Sequence, residues 1–178
     1  MSSPVTRNRL IGLAVVLVIF TVDQYVKYLM VGPLDLRNQP GGVIEWLPFF
    51  DLRWTQNFGV SLGLFTAQSM EMRWILVAVT AGIAIIVTVW MLREKLLGDI
   101  LALSLILGGA LGNIKDRYEL GYVIDYADLH FGSFRPFLIF NIADAAITIG
   151  VVIILVRSFL LHGRDTSDKE PAQGAVES

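Results

Sequence analysis

The sequence predicts an all-α integral membrane protein of four transmembrane helices, carrying a small outward-facing β-sheet and an interfacial helix. Three observations lead there. Hydrophobic residues make up 54% of the 178 residues and charged ones only 17%, and the mean hydropathy is +0.62. A soluble domain of this length has no use for so much apolar side chain, whereas a bundle facing lipid needs it on the outside as well as inside. Four apolar stretches reach membrane length, at 10–31, 74–91, 96–114 and 137–161, each close to the roughly 20 residues a helix needs to cross. Finally, charged residues recur inside or at the ends of these stretches, where they are costly.

The first stretch follows Arg7 and Arg9 and runs on past any small-residue cleavage point, so it reads as an uncleaved span and not a signal peptide. Trp74 and Trp90 bracket the second. At 1.5 Å per residue they lie ~24 Å apart, one at each interfacial belt. Arg93 and Lys95 occupy the tight turn before the third span, and Arg157, Arg164 and Lys169 lie at or beyond the end of the fourth. This density of basic residues places both termini and the 93–95 turn in the cytoplasm, with loops 32–73 and 115–136 outside. The domain is expected over 1–163, with 164–178 a polar, disordered cytoplasmic tail.

The outward loops carry their own structure. Residues 50–55 alternate Phe50, Leu52, Trp54 against Asp51, Arg53, Thr55, the period-two pattern of a half-buried strand. A second strand is expected at 122–126. The aromatic run Ile44 to Phe50 is expected to lie at the membrane surface, and Gln68 to Met72 to form a short amphipathic piece.

Several function classes drop out on composition. The net charge of -2 offers no basic stripe for nucleic acid. The chain has no cysteine, hence no disulfide, thiolate nucleophile or Cys metal site, and its two histidines, His130 and His162, show no metal-ligand spacing. No metal and no cofactor is expected.

What remains is a set of polar residues at membrane depth. Asp23 and Lys27 stand four apart on one helix face, either neutralising each other or serving a site. Asn113, Asp116 and Arg117 close the third span after Gly108, Gly109, Ala110 and Gly112, a small-residue run that admits a close helix neighbour. Asp125 ends the run Gly121-Tyr122-Val123-Ile124, and Asn141 and Asp144 lie three apart near the outer end of the fourth span. On the inferred topology Asp116, Asp125 and Asp144 sit near the outer surface and Asp23 somewhat deeper. Asp99 is expected to pair with Lys95, while Asp128 and His130 are left to solvent or headgroups. A small proton-coupled transporter using Asp23, Lys27 and Asp144 as a relay is the alternative; the spans show no internal repeat that would support it.

The motifs Asp23-Gln24-Tyr25-Val26-Lys27, Asn57-Phe58-Gly59, Gly108 through Arg117, Gly121 through Tyr126 and Phe140-Asn141-Ile142-Ala143-Asp144 follow one another in an order that resembles the bacterial lipoprotein signal peptidases, the aspartic signal peptidase II family. The resemblance spans about residues 10 to 161. Ser61-Leu62-Gly63, Tyr126 and Lys115 depart from the family's usual residues and leave every carboxylate in place. It implies an aspartic endopeptidase that cleaves diacylglyceryl-modified prolipoproteins before the lipid-bearing cysteine, in the bacterial inner membrane, without a cofactor. Asp125 and Asp144 match the family's catalytic pair. Asp23, Lys27, Asn57, Gly59, Asn113, Asp116, Arg117 and Asn141 match its supporting positions. The expected partners are prolipoproteins and membrane lipids, and the chain is expected to act as a monomer.

Overall fold

The computed structural model describes residues 4–59 and 70–167, with side chains described as far as residue 160. Four helices, α1 (Pro4–Val31), α2 (Met70–Arg93), α3 (Leu97–Glu119) and α4 (Ile142–Ser167), are long and apolar enough to cross a membrane. They carry Leu17, Ile86 and Phe159 among many exposed large apolar side chains, as a lipid-facing surface requires. Strands β1 (Val43–Leu47), β2 (Phe50–Asn57) and β3 (Val123–Leu129) form one antiparallel sheet in the order β1-β2-β3 at one end of the bundle.

Several boundaries differ from the sequence expectation. Helix α2 begins at Met70, inside the expected loop 32–73, and α3 runs on to Glu119 instead of stopping near 114. The polar end of α3 stays helical because Asn113 and Asp116 are buried against other elements and not offered to lipid. Helix α4 starts at Ile142, not 137, because Phe140 exchanges backbone hydrogen bonds with Ala127 and so belongs to the sheet's edge. It continues to Ser167, taking the first residues of the expected tail. Of the expected amphipathic piece, Met70 to Met72 form the first turn of α2, while Gln68 and Ser69, Ser61-Leu62-Gly63 and the rest of the tail lie outside the described residues. The run at Ile44 is a strand: Ile44 pairs with Leu52 and Glu45 with Asp51. The expected strand at 122–126 is found as β3, reaching Leu129.

Helix α3 is central. Its glycines set the distance to its neighbours: a Cβ on Gly108 would stand 2.9 Å from the Val16 carbonyl of α1, and one on Gly109 2.4 Å from the Ala143 carbonyl of α4. From α4, Gly150 similarly meets the Ala102 carbonyl of α3. Backbones this close gain dispersion contacts that larger residues would forbid. Val16, Val87, Met91, Ile100 and Leu103 fill the bundle core; Met30, Leu52, Ile124, Tyr126 and Ala127 fill a second core under the sheet. At the end remote from the sheet, Asp99 is held by Arg157, with Nε–Oδ1 2.6 Å and Nη2–Oδ2 3.0 Å, in place of the Lys95 pairing expected from spacing. A two-pronged guanidinium from the adjacent helix outcompetes a single ammonium one turn away.

Because the Gly109 contact is with backbone, Gly109→Ala should destabilise the protein by about 1–3 kcal/mol. Gly82→Ala, where nothing lies within 4 Å of the added carbon, should be neutral or stabilising by up to about 1 kcal/mol. Thermal unfolding of the two variants in detergent compares them, and equal midpoints would contradict the packing described.

Candidate active site

The site grows from one buried cation. Lys27 Nζ on α1 lies 2.8 Å from Asp23 Oδ2, 2.8 Å from Asp116 Oδ2 on α3 and 3.3 Å from Asn113 Oδ1. An ammonium has three donors, and all three are used. Gln24, which the sequence reading passed over, adds Nε2 donors to Asp23 Oδ2 at 3.1 Å, Asp116 Oδ1 at 3.0 Å and the Gly112 carbonyl at 3.3 Å. Both carboxylates also accept from main chain: the Ala143 N–H of α4 donates to Asp23 Oδ1 at 3.0 Å and the Ile124 N–H of β3 to Asp116 Oδ2 at 3.2 Å. The pair anticipated in α1 is therefore a junction joining α1, α3, β3 and α4. Gly112 makes room for it, since a Cβ there would stand 2.5 Å from Asp23 Oδ2.

Above this junction three amides are aimed at two carboxylates. Lysine can only donate, so the Asn113 carbonyl oxygen faces Lys27 and its Nδ2 is left to donate to Asp144 Oδ1, at 2.8 Å. Asn141 caps α4: its Oδ1 accepts from the Asp144 N–H at 2.9 Å while Asp144 Oδ2 accepts from the Asn141 N–H at 3.3 Å. This reciprocal box fixes the first turn and leaves Asn141 Nδ2 to donate to Asp125 Oδ1 at 2.7 Å. Asn57, at the end of β2, accepts the Gly59 N–H on its Oδ1 at 2.8 Å and donates through Nδ2 to Asp125 Oδ2 at 2.9 Å. Gly59 needs its freedom here, with φ at +79° and Leu76 within 2.9 Å of where a Cβ would be.

Asp125 and Asp144 are thus brought together through Asn141. Asp125 is buried and Asp144 half-buried. Burial, and next the charge of Asp144, raise the Asp125 carboxyl to about 6, against the lowering effect of the Asn57 and Asn141 donors. Two carboxylates so placed favour a singly protonated state. The guanidinium of Arg117 feels the charges of Asp144, Asp125 and Asp116 and passes 3.7 Å from where a Gly59 Cβ would be. Its C-terminal turn is held by Arg73, whose Nε donates to the Arg117 carbonyl at 2.9 Å; nothing in the sequence marked Arg73. Among the described residues no group of three or more His, Cys, Asp or Glu is placed to hold a metal ion.

The pair lies between two recesses that share Phe137 and Leu138 as a wall. On the Asp125 side a groove of about 630 Å³ runs over the sheet past Thr55, Gln56 and Asn57 to Arg135. On the Asp144 side an apolar recess of about 290 Å³ follows α4 past Thr148 and Ile149. Asp128 and His130, expected to meet solvent or headgroups, do otherwise. Asp128 is fully enclosed and bound by Arg53 Nε at 2.8 Å and Arg135 Nε at 3.0 and 3.2 Å. His130 Nε2 stands 3.1 Å from Asp51 Oδ2.

Removing one partner from a buried ion network strands the others. Lys27→Met should therefore cost about 3–5 kcal/mol, read as a large fall in thermal midpoint in detergent. A midpoint equal to the parent's would show that the junction is not what holds the four elements together.

Comparison with known proteins agrees with this architecture. Residues 15–160 match the family model described as signal peptidase (SPase) II. The lipoprotein signal peptidase of Sphingopyxis alaskensis is 53% identical over 150 residues, covering 84% of this chain and 86% of that protein. That of Rhizorhabdus wittichii is 50% identical over 155 residues, covering 87% and 89%. A solved bacterial membrane enzyme, 27% identical, superposes with a TM-score of 0.69 over 93% of this chain and 94% of its own. With the family model matched along most of its length and relatives at this identity, the chain belongs to the signal peptidase II family, a family of membrane aspartic peptidases.

Proposed function

We propose that this protein removes the signal peptide from diacylglyceryl-modified prolipoproteins, cutting before the lipid-bearing cysteine, with Asp125 and Asp144 as the catalytic pair. The observation that carries this is the pairing of two carboxylates, joined through Asn141 and fed by three oriented amides, at the sheet end of a four-span bundle. The ionised member takes a proton from water, which attacks the scissile carbonyl. The protonated member polarises that carbonyl and then gives its proton to the leaving amine. The proton belongs to the pair and not to one residue. Asp23, Lys27, Asn113, Asp116 and Asn141 hold the geometry, and Asn57, Gly59 and Arg117 border the substrate.

The basic residues at the other end of the bundle support an orientation in the bacterial inner membrane with both termini cytoplasmic and the sheet end facing outward. A substrate anchored by its lipid is then held at the depth of the pair, which removes much of the orientational search. Membrane lipids surround the spans, and a single chain supplies every group named. Lys27, saturated by three acceptors, suits a fixed anchor and not the mobile relay of a transporter.

Asp125→Asn and Asp144→Asn should each lower turnover of a lipid-bearing prolipoprotein by at least about 100-fold while leaving the fold intact. Near-parental turnover by either variant would remove that residue from the pair.

The sign of the pH dependence follows from Asp125. With its carboxyl raised to about 6, the pair holds a shared proton below that pH and loses it above. For the free enzyme kcat/KM should therefore fall as pH rises through about 6, and Asn57→Ala, which removes a donor to the ionised form, should move that limb to higher pH. A flat parental profile from about pH 5 to about pH 8 would contradict a shared proton.

A further inference from the structure

The groove on the Asp125 side ends at a cluster that the reaction itself does not use. Asp51 and Asp128 are direct cross-strand partners on β2 and β3, an arrangement that repels unless cations intervene. Arg53 and Arg135 supply them, each giving its Nε to Asp128. Burial alone would raise the Asp128 carboxyl; the Arg135 and Arg53 hydrogen bonds and charges outweigh it and hold it below its ordinary value. The anion is enclosed, while Arg135 remains 43% exposed on the groove.

Strict alternation along β3 would put Asp128 on the face opposite Asp125. A bulge prevents this. The N–H groups of Tyr126 and Ala127 both point to the Phe140 carbonyl, at 3.1 and 2.8 Å, and both side chains line the same apolar cavity on the reverse side of the sheet. Two residues opposing one re-aim the next side chain, so Asp128 returns to the Asp125 face and Arg135 is drawn into the groove. Only Nε of Arg135 is engaged within the protein among the described residues, and the half-exposed side chain lines the groove. Such a fork, held by its neck, suits a carboxylate.

We propose that Arg135 is a specificity-determining residue that binds an acidic side chain near the start of the segment following the cleaved bond, with Asp128 and Arg53 as its positioning residues. The proposal rests on the function proposed above. The apolar recess along α4 suits the membrane-embedded side of the substrate, which leaves the sheet groove to the polar chain beyond the lipid-bearing cysteine. Asp128 follows Asp125 by three residues, roughly 10 Å of strand. An extended peptide with its scissile carbonyl at the pair would therefore bring the second or third residue after the cut to Arg135.

The test uses the full chain in mixed micelles and lipid-bearing substrates with Asp, Asn or Lys about two to three residues after the cut. The parent should prefer Asp over Lys by about tenfold in kcat/KM. Arg135→Gln should bring the ratio to within about twofold while leaving the Asn substrate's turnover near parental, Arg135→Lys should keep part of the preference, and Arg135→Glu should reverse it. A ranking unchanged in Arg135→Gln and Arg135→Glu overturns the proposal. So does an equal fall for all three substrates, which would assign Arg135 to loop stability or to a lipid headgroup; repeating the series with and without anionic lipid separates those two. Parental turnover of the Asn substrate is the independent check on the proposed function: its absence would remove that reading and this one together, whereas its presence with no charge ranking removes only this one.

Discussion

A buried lysine must find three acceptors, and the way Lys27 finds them organises the molecule. Two of its acceptors are carboxylates, Asp23 one turn earlier on its own helix and Asp116 on α3. Each of those carries a second obligation to a backbone N–H, one at the start of α4 and one in β3. Desolvating three charges is expensive, and it is offset only when every lone pair and proton has a partner. That condition can be met in one relative placement of four elements. The third acceptor then carries this placement upward: because Lys27 occupies the Asn113 oxygen, the Asn113 amide nitrogen has to face Asp144.

Such a junction would be impossible between ordinary helices. The carboxylate of Asp23 occupies the space where a side chain at Gly112 would be, and Gly108 and Gly109 let α1 and α4 approach α3 at backbone distance. The small-residue run and the charged residues are therefore one feature. Glycine weakens a helix in isolation, by roughly 1 kcal/mol against alanine; here that cost is recovered through close packing and a completed ion network. The same close approach brings the first turn of α4 to β3, so that Asn141 can cap its own helix and still reach Asp125.

The spans were legible because an apolar run of membrane length leaves the backbone few alternatives to a helix, and β2 because 50–55 alternates cleanly. Strand β1 was not, since Ile44-Glu45-Trp46-Leu47 fits an interfacial segment as well as a strand, and only pairing with Leu52 and Asp51 decides it. The site residues stood out wherever a charge sat in apolar surroundings, as with Asp23, Lys27, Asp116 and Asp144. Gln24 did not, because a neutral amide in a membrane helix draws no such attention. Partners separated by long stretches of chain were also hidden: Asp99 had a plausible neighbour in Lys95, and nothing local pointed to Arg157. Asp128 was misread for a different reason. The strand expected at 122–126 left it in the outward loop, and the extension of β3 to Leu129 rests on pairing with β2, just as its partners Arg53 and Arg135 lie outside β3.

The amide arrangement also limits what the two carboxylates can do. A carboxylate offers about four lone-pair positions, two on each oxygen. Among the described residues each of the four oxygens of Asp125 and Asp144 accepts one hydrogen bond: from Asn141 and Asn57 on Asp125, from Asn113 and the Asn141 backbone on Asp144. Every oxygen is thereby fixed in direction and left with one position open. Those open positions are what the proposed reaction would use for a shared proton, a water and a carbonyl. Because Lys27, Gly59 and the α4 helix cap have already set the donating amides, the polar groups would need no reorientation in the proposed reaction. Fixed dipoles in a site sheltered from water act on moving charge more strongly than mobile ones in solvent. The buried lysine junction, which contributes no atom to the carboxylate pair, is in this sense the part of the structure that makes the pair usable.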